Sequence, residues 1–281
     1  PRGGASDGPP PVAASPTGQG GTPNQAAVSG AIQDGEPAGQ KPPAKATVGP
    51  GASRTTPPAE QGAKSKVMAK LISVNRDGTD GEIHVVSDEI VDLGRTSGQL
   101  QFEDDPYLSD RHCRITLKND KWFIEDLESS NGVYLRLAEA WDLKHGHQLL
   151  LGKQVLVFEE LGQHERDIAP AVEHGVLVFG SPLRSPWGRL KQLTVAGIYR
   201  DVYHLIAHKI TIGREEGDIV FPDDEFMSRT HLAIAMDDSG RPQVHDLGSS
   251  NGTYVRIEAP MELESHRMIR VGDQLLRFET A

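Results

Sequence analysis

Three short polar runs in the C-terminal half of the chain hold residue types that can grip an oxyanion: Gly213-Arg214, Ser228-Arg229-Thr230-His231 and Ser250-Asn251-Gly252-Thr253. A phosphate monoester is a near-dianion with three acceptor oxygens. Holding it takes converging donors, best supplied by an arginine fork with hydroxyls and amides. Arg214, Ser228, Arg229, Ser250 and Asn251 make up that set. Each run is bounded by alternating apolar residues, so each reads as a loop between strands.

The same stretch admits other chemistry. Ser228, His231 and Asp246 are the residue types of a hydrolytic triad, but no G-x-S-x-G turn surrounds the serine, and we expect no catalysis. His204 and His208 lie four apart, a spacing that would share a helix face. Their surroundings (DVYHLIAHKI) read as two strands and a turn, so no metal site is expected there or at His145-Gly146-His147. Neither a Walker A nor a dinucleotide fingerprint occurs, so no cofactor is expected. Trp122, Trp141 and Trp187 are read as packing residues. Asn131-Gly132 and Asn251-Gly252, taken singly, are ordinary hairpin-turn signals.

Repetition gives these weak signals weight. Gly94-Arg95 precedes Gly213-Arg214 by 119 residues, and Ser109 and His112 precede Ser228 and His231 by the same interval. Asp126-Leu127 and Asn131-Gly132 stand 120 residues ahead of Asp246-Leu247 and Asn251-Gly252. Leu151-Gly152 and Phe158-Glu159 stand equally far ahead of Val271-Gly272 and Phe278-Glu279. A register held this long with one slip marks a duplication, and its period is too long for a solenoid. The first copy offers Arg95, Ser109, Ser130 and Asn131 for the same donor set.

The chain around these runs has 281 residues and a formal charge of -11. Residues 1–66 form a tail in which Pro, Gly and Ala fill 36 positions and no Phe, Trp or Tyr occurs. Such a segment cannot bury enough apolar surface to offset its ordering entropy, so it is expected to be disordered. From Val67 onward, short β-rich runs separated by turn residues predict an all-β class. We read two tandem sandwiches, 67–161 and 175–281, joined by a polar linker, 162–174, with room for one helical turn. Val176-Leu177-Val178-Phe179 reads as the opening strand of the second unit, whose final strand is expected to lie against its first. The acidic body makes nucleic acid an unexpected partner. No run of about 18 apolar residues is present, so no membrane insertion is expected. One cysteine, Cys113, fits a reducing compartment, and the expected location is the cytoplasm.

The ordered pattern Gly-Arg, Ser-Arg-x-His, Asp-Leu-x-Ser-x-Asn-Gly-Thr resembles the forkhead-associated (FHA) domain, in two copies covering about 205 of the 281 residues. The Pro/Ala/Gly-rich tail is similar to those of proteins from GC-rich bacteria. The resemblance implies eleven-stranded sandwiches that bind phosphothreonine peptides through their loops, with threonine preferred because its methyl enters a small apolar pocket. It implies direct phosphate contacts from Arg214 and Ser228, with Arg229 lining the phosphate or the peptide. Ser250 and Asn251 would bond the peptide backbone. Arg95, Ser109, Ser130 and Asn131 are the first-copy counterparts. His231 and His112 are expected to brace a loop, Gly213 and Gly252 to supply backbone freedom, and Gly94 and Gly132 complete the structural motif.

The first copy departs from the pattern in having Asp110 where the second has Arg229, and Val133 where it has Thr253. A carboxylate near the phosphate position predicts a weaker pocket, or one that reads something else, unless Arg111 compensates. The expected function is a non-enzymatic phosphothreonine-reading adaptor in Ser/Thr-kinase signalling, whose partner is a phosphoprotein, a kinase or a kinase substrate. Thr55 and Thr56 are candidate phosphosites for an intramolecular tail ligand. A structural docking module with phosphate binding reduced or lost is the alternative.

Overall fold

Alternation of apolar and polar residues at period two turns these short runs into half-buried strands, and paired turn residues set their register. The computed structural model describes residues 67–281. The predicted tail, with Thr55 and Thr56, lies outside the described residues. The first repeat forms β1 (Ala69–Val74), β2 (Asp80–Val86), β3 (Ile90–Gly94), β4 (Leu100–Gln101), β5 (Cys113–Lys118), β6 (Lys121–Asp126), β7 (Val133–Arg136), β8 (Trp141–Asp142), β9 (Gln148–Leu151) and β10 (Gln154–Glu160). One helical turn, α1 (Gln163–Arg166), and a small hairpin, β11 (Val172–Glu173) with β12 (Val176–Leu177), follow. The second repeat forms β13 (Gly188–Leu193), β14 (Tyr199–Leu205), β15 (Lys209–Gly213), β16 (Ile219–Val220), β17 (Leu232–Met236), β18 (Pro242–Asp246), β19 (Thr253–Arg256), β20 (Met261–Glu262), β21 (Met268–Val271) and β22 (Gln274–Thr280). Among the described residues no helix is long and apolar enough to cross a membrane.

Turn chemistry is legible in several hairpins. Lys118 pairs with Lys121, and the two residues between them, Asn119 and Asp120, both have positive φ. That is the type I′ turn that Asn and Asp tolerate best among residues with a side chain. Gly152-Lys153 and Gly272-Asp273 each close a two-residue hairpin with positive φ at the glycine alone, as a type II′ turn requires.

The strands pair across the repeats. One ten-stranded sheet runs β14-β13-β10-β9-β19-β7-β21-β22-β1-β2. Exchanging each strand for its counterpart in the other repeat reverses this order onto itself, so the sheet has a pseudo-two-fold between β7 and β19. Two five-stranded sheets, β20-β6-β5-β3-β4 and β16-β15-β17-β18-β8, complete the architecture. One core gathers Leu71, Leu93, Ile115 and Ile124 of the first repeat with Ile269, Leu276 and Phe278 of the second. The other gathers Ile212, Leu232, Ile234 and Val244 of the second repeat with Leu149, Leu156 and Phe158 of the first.

Each sandwich is therefore closed by three strands of the other repeat, and has ten strands where the resemblance implied eleven. The chain crosses at Leu137 and Ile257, both buried, each in the core opposite to its own repeat's N-terminal strands. The sequence reading closed each repeat on itself; the pairing instead lays the last strand, β22, on β1, and β10 on β13. The physical reason is equivalence. The two C-terminal hairpins present nearly the same apolar faces, so either can fill either core. Phe278 lies edge-on to Trp122 with ring centroids 5.6 Å apart, and Phe158 packs on Trp187 at 6.2 Å. Burying one such phenyl ring contributes about 1.5–3 kcal/mol whichever repeat supplies it. Crossing straight on adds the β7–β19 ladder, which leaves neither strand an edge.

The linker differs from expectation too. Its helical turn is present at α1, but Val176 and Leu177 pair only with Glu173 and Val172, and Phe179 is fully exposed. The position beside β10 belongs to β13, whose Leu190 alternates inward and whose Gly188 lies against the Phe158 ring where a Cβ would not fit. Trp141 is half-buried against the second core, and Trp187 donates its indole N–H to the Ala207 carbonyl. Cys113 is fully buried, and burial pushes its thiol pKa up.

Two buried carboxylates record the exchange. Asp105 accepts the Asp273 amide and the Gln274 side-chain amide, both at 2.9 Å, while Asp224 accepts those of Lys153 and Gln154 at 2.7 and 2.8 Å. A double-mutant cycle by urea denaturation of Asp105→Ala with Gln274→Ala should give a coupling of about 0.5–3 kcal/mol, whereas Asp105→Ala with Gln154→Ala should add within about 0.5 kcal/mol. The opposite pattern would mean that each repeat closes on itself.

Candidate functional site

In each sandwich three loops meet at one end: the turn after β3 or β15, the loop before β5 or β17, and the turn before β7 or β19. All site residues precede the crossing points, so each cluster is built from one repeat. Gly94 and Gly213 let the first two loops touch. A Cβ on either would overlap a backbone carbonyl, that of Asp110 or Arg229. Close approach, and not backbone freedom, is thus the reason for Gly213. Gly252 and Gly132, by contrast, do have positive φ, +82° and +83°, which favours glycine. Asn131 and Asn251 do not, so these turns are not the simple type I′ hairpins that Asn-Gly suggests.

The same hydrogen bonds tie the loops in both clusters. In the second, the Arg214 amide donates to the Ser228 carbonyl (2.9 Å), the Ser250 amide to Ser228 Oγ (3.0 Å) and Asn251 Nδ2 to the Phe226 carbonyl (2.7 Å). In the first, Arg95, Ser130 and Asn131 make the corresponding bonds to Ser109, Ser109 Oγ and the Tyr107 carbonyl at 2.9, 3.0 and 2.8 Å. The predicted donor residues are brought together in each cluster, with Ser130, Asn131, Ser250 and Asn251 exposed.

The histidines are braces. His231 is fully buried; its Nδ1 accepts the Ser228 amide (3.1 Å) and its Nε2 lies 3.2 Å from the Gly252 carbonyl. An amide donor at one nitrogen and a carbonyl acceptor at the other fix a neutral ring protonated on Nε2. His112 spans Ser109 and Gly132 in the same way. Neither imidazole has a lone pair left to act as a base. Asp246 is occupied as well: it accepts the Gly248 and Ser249 amides and the hydroxyls of Ser249 and Thr253 at 2.6–2.9 Å. Burial pushes its carboxyl up, but these bonds win and hold it below the usual range. His204 lies in β14 and His208 in the turn after it, and among the described residues no three His, Cys, Asp or Glu side chains gather as a metal-binding group.

The two clusters differ in charge and wiring. In the first, Arg95 Nη2 is bonded to Asp110 Oδ1 at 2.8 Å, which holds the Asp110 carboxyl below its usual range. Arg111 does not compensate, because it pairs with Asp92 at 2.8 Å, and Arg114 shares that carboxylate. In the second, Glu215 takes two bonds from Arg214 (3.1 and 2.7 Å) and lies 3.4 Å from Arg229 Nε. Two arginines thus share the one Glu215 carboxylate there, whereas Arg95 of the first cluster is matched by its own aspartate, Asp110. The loop after β6 is also looser than that after β18. Glu128 holds positive φ where Gly248 stands in the second repeat, a conformation that costs a residue with a side chain about 1–2 kcal/mol. Val133 removes the hydroxyl that Thr253 gives to Asp246. Glu215 and Glu128 were missed in the sequence: the first is one more charge in an acidic chain, and the second shows only when the repeats are aligned and the φ angle is known.

Burial holds the His231 pKa below its ordinary value. The unfolded chain takes up this proton near pH 6.5 and the folded one only at lower pH, so the stabilisation is complete above about pH 6.5 and declines as pH falls below it. Urea denaturation should show that decline, and His231→Ala should remove its share of the slope while lowering stability by about 2–4 kcal/mol. An unchanged slope in the variant would show that His231 is not a buried neutral brace.

The FHA domain family matches residues 91–152 and 210–272. The chain is 32% identical over 71 residues to the FHA domain-containing protein FhaB of Mycobacterium tuberculosis, covering 25% of this chain and 46% of the relative. It is 28% identical over 92 residues to the FhaB of Mycolicibacterium smegmatis, covering 32% and 59%. The chain thus spans about half the length of the curated relatives it matches. Among solved structures, Mycobacterium tuberculosis EmbR in complex with a low affinity phosphopeptide aligns at 29% identity and a TM-score of 0.19, over 31% of this chain and 26% of that one. The FHA-domain model thus matches two segments of the chain, each containing one loop cluster, and marks a tandem of FHA domains.

Proposed function

We propose that this chain is a non-enzymatic adaptor that binds phosphothreonine peptides, with the second pocket the more competent. FHA domains are among the modules that read phospho-motifs through arginine. The observation that carries the reading is the convergence of Arg214, Ser228, Arg229, Ser250 and Asn251 on one cluster, in which two arginines share the one Glu215 carboxylate. In this reading Arg214 and Ser228 hold the phosphate, and Arg229 lines it. Asn251 spends Nδ2 on the Phe226 carbonyl and has its Oδ1 available to accept a peptide amide. Glu215 is a counter-ion that an incoming phosphate displaces. Both arginines and Glu215 are solvent-exposed to a third or more, so that displacement costs little.

The first pocket suits a different use. Asp110 already neutralises Arg95, which favours a docking role there with phosphate binding reduced. Signalling by a Ser/Thr kinase would supply the ligand, on a phosphorylated partner or on Thr55 or Thr56 of this chain. A tethered ligand that reaches a pocket can experience an effective concentration in the millimolar range.

Titration of a phosphothreonine peptide library should show binding that requires both the phosphate and Arg214. Arg214→Ala should abolish it at the second pocket, and phosphate-independent partner capture that survives the substitution would replace this reading with structural docking. In an Arg214→Ala background, Asp110→Arg should tighten binding at the first pocket about tenfold or more, since removal of a like charge beside a phosphate and addition of a fork act in the same direction. Unchanged affinity would absolve the carboxylate.

A further inference from the structure

The crossing strands carry one arginine of each repeat under the Asn-Gly turn of the other. β7 and β19 run antiparallel, with Arg136 opposite Tyr254 and Arg256 opposite Tyr134. At the end of β7, Arg136 lies against the Ser249–Gly252 turn: Nη2 is 3.4 Å from the Ser249 carbonyl, and a Cβ on Gly252 would overlap the guanidinium. At the end of β19, Arg256 does the same to the first repeat. A Cβ on Gly132 would overlap its guanidinium, and its Nη2 is 3.7 Å from Asp126, the carboxylate that accepts the Ser129 amide (3.0 Å). Both arginines are half-buried.

What each arginine supports is the part of the turn that matters. The Gly252 carbonyl is the acceptor of His231, and His231 in turn holds the Ser228 amide. Ser250 and Asn251 sit in the same turn, immediately before Gly252. A shift of Gly252 therefore reaches every loop of the second cluster. The first cluster has the same chain of contacts through Gly132, His112 and Ser109. Strand β7 starts one residue after Gly132 and ends at Arg136, so a rod of about 10 Å joins the first turn to the arginine under the second. β19 makes the reverse link from Gly252 to Arg256.

We infer that Arg136 is a positioning residue for the second pocket and Arg256 for the first, so that the two pockets are coupled through the β7–β19 crossing. This rests on the phosphopeptide reading of those pockets. Each repeat supplies part of the frame of the other's site, and a ligand that fixes one Asn-Gly turn restrains the strand that leads to the other.

The test uses the full chain, 15N-labelled, with Arg136→Ala, Arg136→Lys and Arg256→Ala. Arg136→Ala should move the backbone amide signals of residues 250–252 and leave those of 130–132 in place; Arg256→Ala should do the reverse, and Arg136→Lys, which keeps the stem and charge, should move them less. Affinity is then measured with the phosphothreonine peptide library in single-pocket backgrounds, Arg95→Ala to leave the second pocket and Arg214→Ala to leave the first. Arg136→Ala should weaken the second pocket by about threefold to thirtyfold and spare the first, with Arg256→Ala opposite. Signals that move on the substituted repeat's own turn, equal losses at both pockets, or moved signals with unchanged affinity would each overturn the inference. If the unsubstituted chain binds no phosphothreonine peptide while the crossed pattern of amide shifts holds, the positioning stands and the proposed function falls.

Discussion

The rest of the structure depends on two four-residue strands that pair with each other. A chain with two equal repeats could turn back at Leu137 and Ile257; this one runs on. β7 gains β19 as a neighbour along with β21, and β19 gains β7 along with β9. Backbone N–H and C=O groups must be paired somewhere when buried, and this arrangement pairs them on both sides of the central strands. The alternative would leave β7 and β19 each with a free side next to apolar cores. From this one ladder follow the continuous ten-stranded sheet, the exchange of the C-terminal hairpins, and the placement of Arg136 and Arg256.

The binding ends are insulated from that exchange in composition but not in support. Every donor of a cluster comes from a single repeat, and the brace from histidine to Asn-Gly turn is the same in both. Divergence has gathered instead around charge and turn strain. Asp110 for Arg229, Glu128 for Gly248 and Val133 for Thr253 all act on one pocket. They remove a donor, add strain and delete a hydroxyl from the carboxylate that organises the turn. Three small changes of this kind, each on the order of 1 kcal/mol, are enough to separate two pockets built on the same backbone by one or two powers of ten in affinity.

Much of this was readable in the sequence. The all-β class, the turn positions and the grouping of Arg214, Ser228, Ser250 and Asn251 follow from alternation, from Gly and Asn placement and from the repeated spacing. The exchange did not show because periodicity fixes which strands a core needs and is silent on which copy provides them. Asp105 finds a Gly-x-Gln turn at Gly272-Asp273-Gln274, and Gly152-Lys153-Gln154 would serve it equally well. Val176 to Phe179 misled for a related reason: a short apolar run says that a strand is possible, not that a sheet edge is open beside it. Gly213 was read as a source of backbone freedom, and only the packed loops reveal that the space above it is already filled by the Arg229 carbonyl.

The exchange also changes what kind of unit this protein is. A repeat that closed on itself could be cut out, moved into another gene or lost without harm to its neighbour. Here each half holds the closing hairpin of the other, so the two must be inherited, synthesised and degraded together. During synthesis the first sandwich has to wait with an unfilled core until β21 and β22 emerge. A substitution in β21 or β22 would appear as a defect of the first repeat, more than a hundred residues upstream.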